Sequence, residues 1–176
     1  RDGNVWVTDG QDNYPRRARG AAADSPLPPM PEKLIGHQIY KFSPEGKLLM
    51  TLGKAGGNRP GETADPSSFY QPNDVITNAA GDIFVCEGHS DGVAAPARII
   101  KFDRTGKFIK EFGRRGANPG EFLQPHALAF DSQGRLFVAD DERPDAEAGD
   151  PQNRELGRAS RAVGESMLEH PADVGR

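Results

Sequence analysis

The chain has 176 residues, a formal net charge of −4, and 35% hydrophobic against 27% charged residues, with 21 glycines and 15 prolines. The acidic balance argues against a nucleic-acid partner, no apolar run approaches the ~20 residues of a membrane-spanning helix, and the single cysteine, Cys86, excludes an internal disulfide. This is the composition of a soluble chain rich in turns and short strands.

Gly3-Asn4-Val5-Trp6-Val7-Thr8-Asp9 reads as a strand, apolar at alternate positions after a glycine. Residues 11–35 then interrupt the pattern with a Pro-rich stretch, predicted to be an extended surface excursion that either lids a site on one face or is ornament. Gly3 to Ile39 spans 36 positions where the equivalent Gly81 to Ile99 spans 18, so about 18 residues are inserted. Ile39–Phe42 and Lys47–Met50 form a hairpin around a turn at Gly46. From Pro72 a complete unit follows. Asp74–Thr77 is its first strand, Asn78–Gly81 a turn, Asp82–Glu87 the second strand, Arg98–Asp103 the third and Lys107–Phe112 the fourth. The basic residues Lys101, Arg104, Lys107, Lys110, Arg114 and Arg115 alternate along a hairpin and read as a solvated face. Cys86 reads as a small buried strand residue. A further unit opens at Phe122 and continues through the strand Gly134–Asp140. Its third strand is due near residue 152, where the sequence is Pro151-Gln152-Asn153-Arg154-Glu155. Residues 142–176 are accordingly predicted to be irregular, either disordered or a non-native continuation introduced by a frame slip or junction.

These elements are copies of one cassette. Phe69-Tyr70-Gln71-Pro72-Asn73-Asp74-Val75 matches Phe122-Leu123-Gln124-Pro125-His126-Ala127-Leu128 at an offset of 53, and Gly81-Asp82-Ile83-Phe84-Val85-Cys86-Glu87 matches Gly134-Arg135-Leu136-Phe137-Val138-Ala139-Asp140 at the same offset. Gly3 to Asp9 is a third copy, and Ile39–Met50 matches Ile99–Lys110. Each unit is a four-stranded antiparallel sheet that cannot bury both faces alone. Stacking such sheets radially covers them, which is the β-propeller solution. The apolar strand positions Val5, Val7, Phe84, Phe102, Phe108 and Phe112 are expected to face a core. Propellers need about four to eight blades, and 176 residues hold about three units. The fold class is therefore all-β, and residues 1–141 are expected to form part of a larger propeller, with the true N-terminus expected upstream.

The strings Gln-Pro-Asn-Asp-Val, Gly-Asp-Ile-Phe-Val-Cys-Glu-Gly, Ile-Ile-Lys-Phe-Asp-Arg-Thr-Gly-Lys-Phe-Ile-Lys-Glu-Phe-Gly and Gln-Pro-His-Ala-Leu-Ala resemble NHL repeats. Within that class they are most similar to the peptidyl-α-hydroxyglycine α-amidating lyases and their bacterial relatives, over residues 1–11 and 36–141. The resemblance implies a six-bladed propeller that splits peptidyl-α-hydroxyglycine into a peptide amide and glyoxylate, and an exported or periplasmic setting. It also implies a central zinc held by three histidines from Pro-His segments of different blades, with a tyrosine and an arginine completing the site. An open zinc position acidifies the substrate hydroxyl, a base takes the proton, and the C–N bond breaks as the carbonyl forms.

Carried over residue by residue, the resemblance makes His126 a zinc ligand. It stands eight residues before Gly134, and Asn73 holds the same place before Gly81. The equivalent before Gly3 falls upstream of Arg1, and a third falls beyond the tail. The catalytic tyrosine is replaced in Val85-Cys86-Glu87-Gly88-His89, leaving His89 as the candidate base. The arginine place holds Asp141, and the paired cysteines of animal lyases are Tyr70 and Ser90 here. His37 and His170 read as non-site residues. Three classes stay open: a zinc-dependent carbon–nitrogen lyase acting on a small molecule or peptide; a non-catalytic propeller binding a protein, peptide or glycan on a loop face; and a calcium-dependent lactonase-like propeller drawing on Asn73, Asp74 and Glu87.

Overall fold

A computed structural model of the chain describes residues 3–58, 65–88 and 96–140, together with the backbone of 160–163. Among them every regular element is a strand, as the all-β reading requires: β1 (Val5–Asp9), β2 (Gln38–Phe42), β3 (Leu48–Leu52), β4 (Pro72–Thr77), β5 (Ile83–Glu87), β6 (Arg98–Phe102), β7 (Phe108–Phe112), β8 (Pro125–Phe130), β9 (Leu136–Asp140) and β10 (Ser160–Val163). No helix among the described residues is long and apolar enough to cross a membrane. The chain divides into two compact units, Arg1–Pro72 and Asn73–Arg176.

The first unit holds one antiparallel sheet in the order β1-β2-β3. Val5 lies opposite Phe42 and Asp9 opposite Gln38, while the β2–β3 register shifts at Lys41/Phe42. The shift recurs at Lys101/Phe102 between β6 and β7, so the repeat extends to its irregularities. The hairpin turns recur as well. The Ser43 hydroxyl accepts the Glu45 and Lys47 amides, both at 3.3 Å. Asp103 does the same for Thr105 and Lys107 at 2.8 and 3.0 Å, and Asp131 for Gln133 and Arg135 at 2.9 and 2.8 Å. A short side-chain acceptor that mimics a backbone turn, followed by a residue at positive φ, fixes each hairpin. Gly46, Gly106 and Gly134 supply that φ, at 83°, 87° and 81°.

The second unit contains a four-stranded sheet, β4-β5-β6-β7, and a three-stranded sheet, β10-β9-β8. Phe84, Cys86 and Ile99 of the first, with Ala97 just before β6, meet Leu128, Leu136 and Val138 of the second and Phe122 ahead of β8 in one buried cluster. Burying a large aliphatic or aromatic side chain stabilises by roughly 1.5–3 kcal/mol, so this interface holds the two sheets together. Every residue of β5 and β6 is buried, which explains the near-continuous apolar run from Ile83 to Cys86 where a one-faced sheet would alternate. Cys86 is fully buried in the cluster, and burial pushes its thiol pKa up, as its reading as a packing residue implies.

Two particulars depart from the sequence reading. Val5 and Val7 are 52% and 42% exposed rather than facing a core; alternation fixes that they share a face of β1, not that the face is covered. β10 stands inside the stretch read as irregular, eight residues past the expected position, with Ser160 opposite Ala139 and Val163 opposite Leu136. It takes the third-strand place beside β9. Four residues, one of them charged, are too short a signal for period-two reading to find.

Candidate functional site

The starts of β4 and β8, which share one repeat position, lie side by side in the second unit. Pro125 pairs with Asp140 and Ala127 with Ala139, so His126 is the extra residue of a β-bulge on the sheet's edge strand. Bulges re-aim the residue they contain, and the His126 side of the strand is exposed. The residues around it fasten the two sheets to one another. The Asn73 amide donates to the Pro125 carbonyl at 2.7 Å. Asp74 accepts the Leu128 amide at 2.7 Å through one oxygen and its neighbour Val75 at 2.8 Å through the other. Asp140 accepts the amides of Leu123 and Gln124 at 2.9 and 2.8 Å, bracing the segment that leads into His126.

Behind this edge lies a buried charge cluster. Glu87 is completely buried at the end of β5 and accepts from Arg98 Nε at 2.5 Å, while Arg98 Nη1 also reaches Glu111. The next residue, Gly88, packs so closely that a Cβ there would sit 2.7 Å from Cδ of Pro125. Asn73, Asp74 and Glu87, the candidate calcium contributors, thus point to three different partners. Among the described residues no three His, Cys, Asp or Glu side chains converge as metal ligands. A catalytic zinc takes three protein ligands and keeps one open position; His126 supplies one imidazole, so the described residues do not by themselves fit the ion. His89, the candidate base, lies outside the described residues, as do Ser90 and Asp141.

The first unit contains a second polar centre, built on a histidine that sequence reasoning set aside. His37 is 1% exposed with φ at 57°. Its Nδ1 accepts the Gln71 amide at 3.0 Å, which places the ring proton on Nε2, where it donates to Asp12 at 2.9 Å. Asp12 also accepts the Tyr14 amide at 2.9 Å and Arg16 at 3.0 Å. Burial pushes the His37 pKa down, against the pull of Asp12. The pair links the Pro-rich excursion, the start of β2 and the segment before β4. Both ring nitrogens are engaged, so the group acts as a clasp. Its partners lie 25 and 34 positions away, and Asp12 sits inside the excursion; no local spacing signals them. Gln71 is itself at φ 52°, and its buried Oε1 has no hydrogen-bond partner among the described residues.

Comparison with known proteins agrees with the repeated geometry. NHL repeat-containing protein 3 of Homo sapiens is 33% identical over 106 residues, covering 60% of this chain and 29% of that protein. Peptidyl-glycine alpha-amidating monooxygenase of Mus musculus is 32% identical over 149 residues, covering 80% of this chain and 12% of that protein. The repeats are NHL repeats. Protein brain tumor of Drosophila melanogaster is 26% identical over 106 residues, covering 60% of this chain and 10% of that protein. No protein-family profile matches the chain. The chain spans less than a third of the length of these curated relatives.

Within the NHL repeats, the first-strand position is used in two ways. In one repeat it carries Asn73, whose amide ties the sheet to its neighbour; in the next it carries the bulged His126. The position before the first-strand proline likewise differs: Gln124 donates its amide to Asp140, whereas Gln71 donates to His37. The clasp therefore replaces, in the first unit, a contact that the later repeat makes with its own second strand.

Proposed function

We propose that this NHL-repeat chain belongs to a propeller that binds a protein or peptide ligand on its loop face, without catalysing a reaction on it. The observation that carries the reading is the commitment of Asn73 and Asp74 to the backbone of β8, at 2.7 Å each. At the position where a metal enzyme would gather a ligand, Asn73 here holds sheet to sheet, and Asp74 beside it does the same. The replaced tyrosine and arginine positions of the lyase pattern, at Gly88-His89 and Asp141, support the same conclusion.

A second reading rests on a different observation. The 32% identity over 149 residues with a protein named for peptidyl-glycine alpha-amidation, together with the bulge that exposes His126, favours a zinc-dependent carbon–nitrogen lyase with His126 as one ligand and His89 as base. One experiment separates the two. Zinc and calcium content are measured on the complete propeller to which the chain belongs and on its His126→Ala variant, and glyoxylate release from a peptidyl-α-hydroxyglycine is followed for that propeller and for His89→Ala. The binding reading expects no stoichiometric metal and no glyoxylate. Zinc that disappears in His126→Ala, with glyoxylate release that disappears in His89→Ala, would establish the lyase instead.

A further inference from the structure

The Pro-rich excursion carries a surface of its own. Every residue from Ser25 to Pro31, in Ser25-Pro26-Leu27-Pro28-Pro29-Met30-Pro31, either is a proline or directly precedes one. Proline fixes φ near −65°, and a following proline bars the α region to the residue before it. The whole heptad is thereby biased to the left-handed polyproline helix, and residues 26–31 show neither strand nor turn. That helix has three residues per turn and rises about 3.1 Å per residue. Leu27 and Met30 consequently share one edge, roughly 9 Å apart by the same rise, and each is followed by a proline on the next edge. Their side chains are 53% and 55% exposed. Two aliphatic–proline steps are thus displayed in register.

The segment is held at both ends. Arg17 Nε donates to the Ser25 carbonyl at 2.7 Å, and the Ser25 amide donates to Ala22 at 3.0 Å. Beyond Pro31, the Asn13 side chain binds the Lys33 carbonyl at 2.8 Å and the Ile35 amide at 3.1 Å. The clasp of Asp12 on His37 fixes the base of the excursion. A ligand already rigid in its bound form loses little entropy on docking.

We infer that Ser25–Pro31 is a docking segment, recognised by a partner protein through a groove lined with aromatic side chains that reads polyproline helices. Rings stack on Pro28 and Pro31 while Leu27 and Met30 fill the gaps between them. The inference goes beyond the proposed function, since here the excursion is the element that is bound, and it stands whichever way the metal question falls. The test uses the whole chain, titrated into an isotopically labelled SH3 domain and, separately, a labelled WW domain, which are grooves of this chemistry. Saturable shifts of groove aromatic resonances in at least one domain are expected, weakened tenfold or more by Pro28→Ala/Pro31→Ala with the melting temperature unchanged. The inference is overturned if neither domain responds at millimolar chain, or if the double variant binds as tightly as the parent.

Discussion

Replacing Asp74 by alanine should loosen the second unit by an amount that its hydrogen bonds set. Asp74 accepts the Leu128 amide at 2.7 Å across the gap between sheets, and Leu128 is only 8% exposed. β8 is the edge strand of its sheet, so this amide has turned to the neighbouring sheet for its acceptor. A hydrogen bond to a charged group contributes roughly 1.5–3 kcal/mol, and a buried donor left without a partner costs about 1–3 kcal/mol. The lost Val75 contact is local and adds little. A total near 2 kcal/mol corresponds to a melting temperature lower by about 4–8 °C at this chain length. Thermal and urea melts followed by circular dichroism measure it; fluorescence does not serve, because Trp6 sits in the first unit. Asp74→Asn keeps an acceptor oxygen without the charge and should recover about half of the loss. A change below 0.5 kcal/mol in Asp74→Ala, or an Asp74→Asn variant no better than alanine, would refute the idea that this carboxylate couples the sheets.

Three other outcomes follow from the same contacts. Ile99→Ala, at a fully buried position of the inter-sheet cluster, should cost about 2–5 kcal/mol in urea unfolding. Gly57→Ala should destabilise the first unit by about 1–3 kcal/mol or more, because φ is 61° and the new methyl would collide with the Phe69 carbonyl and Cβ of His37; proteolysis of the excursion reports it. His37 faces Asp12, Asp9, Arg16 and the ring of Tyr70. Its folded pKa is below the unfolded 6.5, so the unfolded chain binds more protons as pH falls through that value. Stability is complete above about pH 6.5 and declines with acidification below it, and a protonated Nδ1 would also lose the Gln71 amide. His37→Gln should flatten that decline in melts taken between pH 7.5 and 5; an unchanged slope would remove His37 as its source.

The fold was legible because its signals are local and repeated. Gly-Asp-Ile-Phe-Val and Gly-Arg-Leu-Phe-Val announce second strands, and Ser43, Asp103 and Asp131 each sit three residues before the glycine that their hairpin turn needs. What the pattern missed was set by partners distant in sequence. Alternation put Val5 and Val7 on one face, but what covers a face is decided elsewhere in the chain. β10 follows an interval longer than the repeat allows, and its four residues carry little apolar character. The same limit applies at the polar centres. His126 could be placed at a strand start by counting, whereas the bulge that turns it out of the ladder depends on its pairing with β9. His37 carried no local mark, since its carboxylate lies within the insertion.

The repeat also constrains where chemistry can be placed. Equivalent positions of the cassette open the same first strand, yet their side chains are put to different uses. Asn73 and His126 illustrate the exchange: the amide at one position serves as a tie to Pro125, and the imidazole at the next stands on the exposed side of a bulge that the tie helps to hold. Converting His126 to asparagine would therefore preserve the fold, because asparagine already occupies the equivalent place in the preceding repeat. The reverse change, Asn73→His, would remove the Pro125 tie, and should cost about 0.5–1.5 kcal/mol, the net contribution of a neutral hydrogen bond. An asymmetry of that sign in paired melts would identify the first-strand position as a sheet-to-sheet tie in one repeat and not in the other. Equal losses would mean that both side chains are held for packing alone.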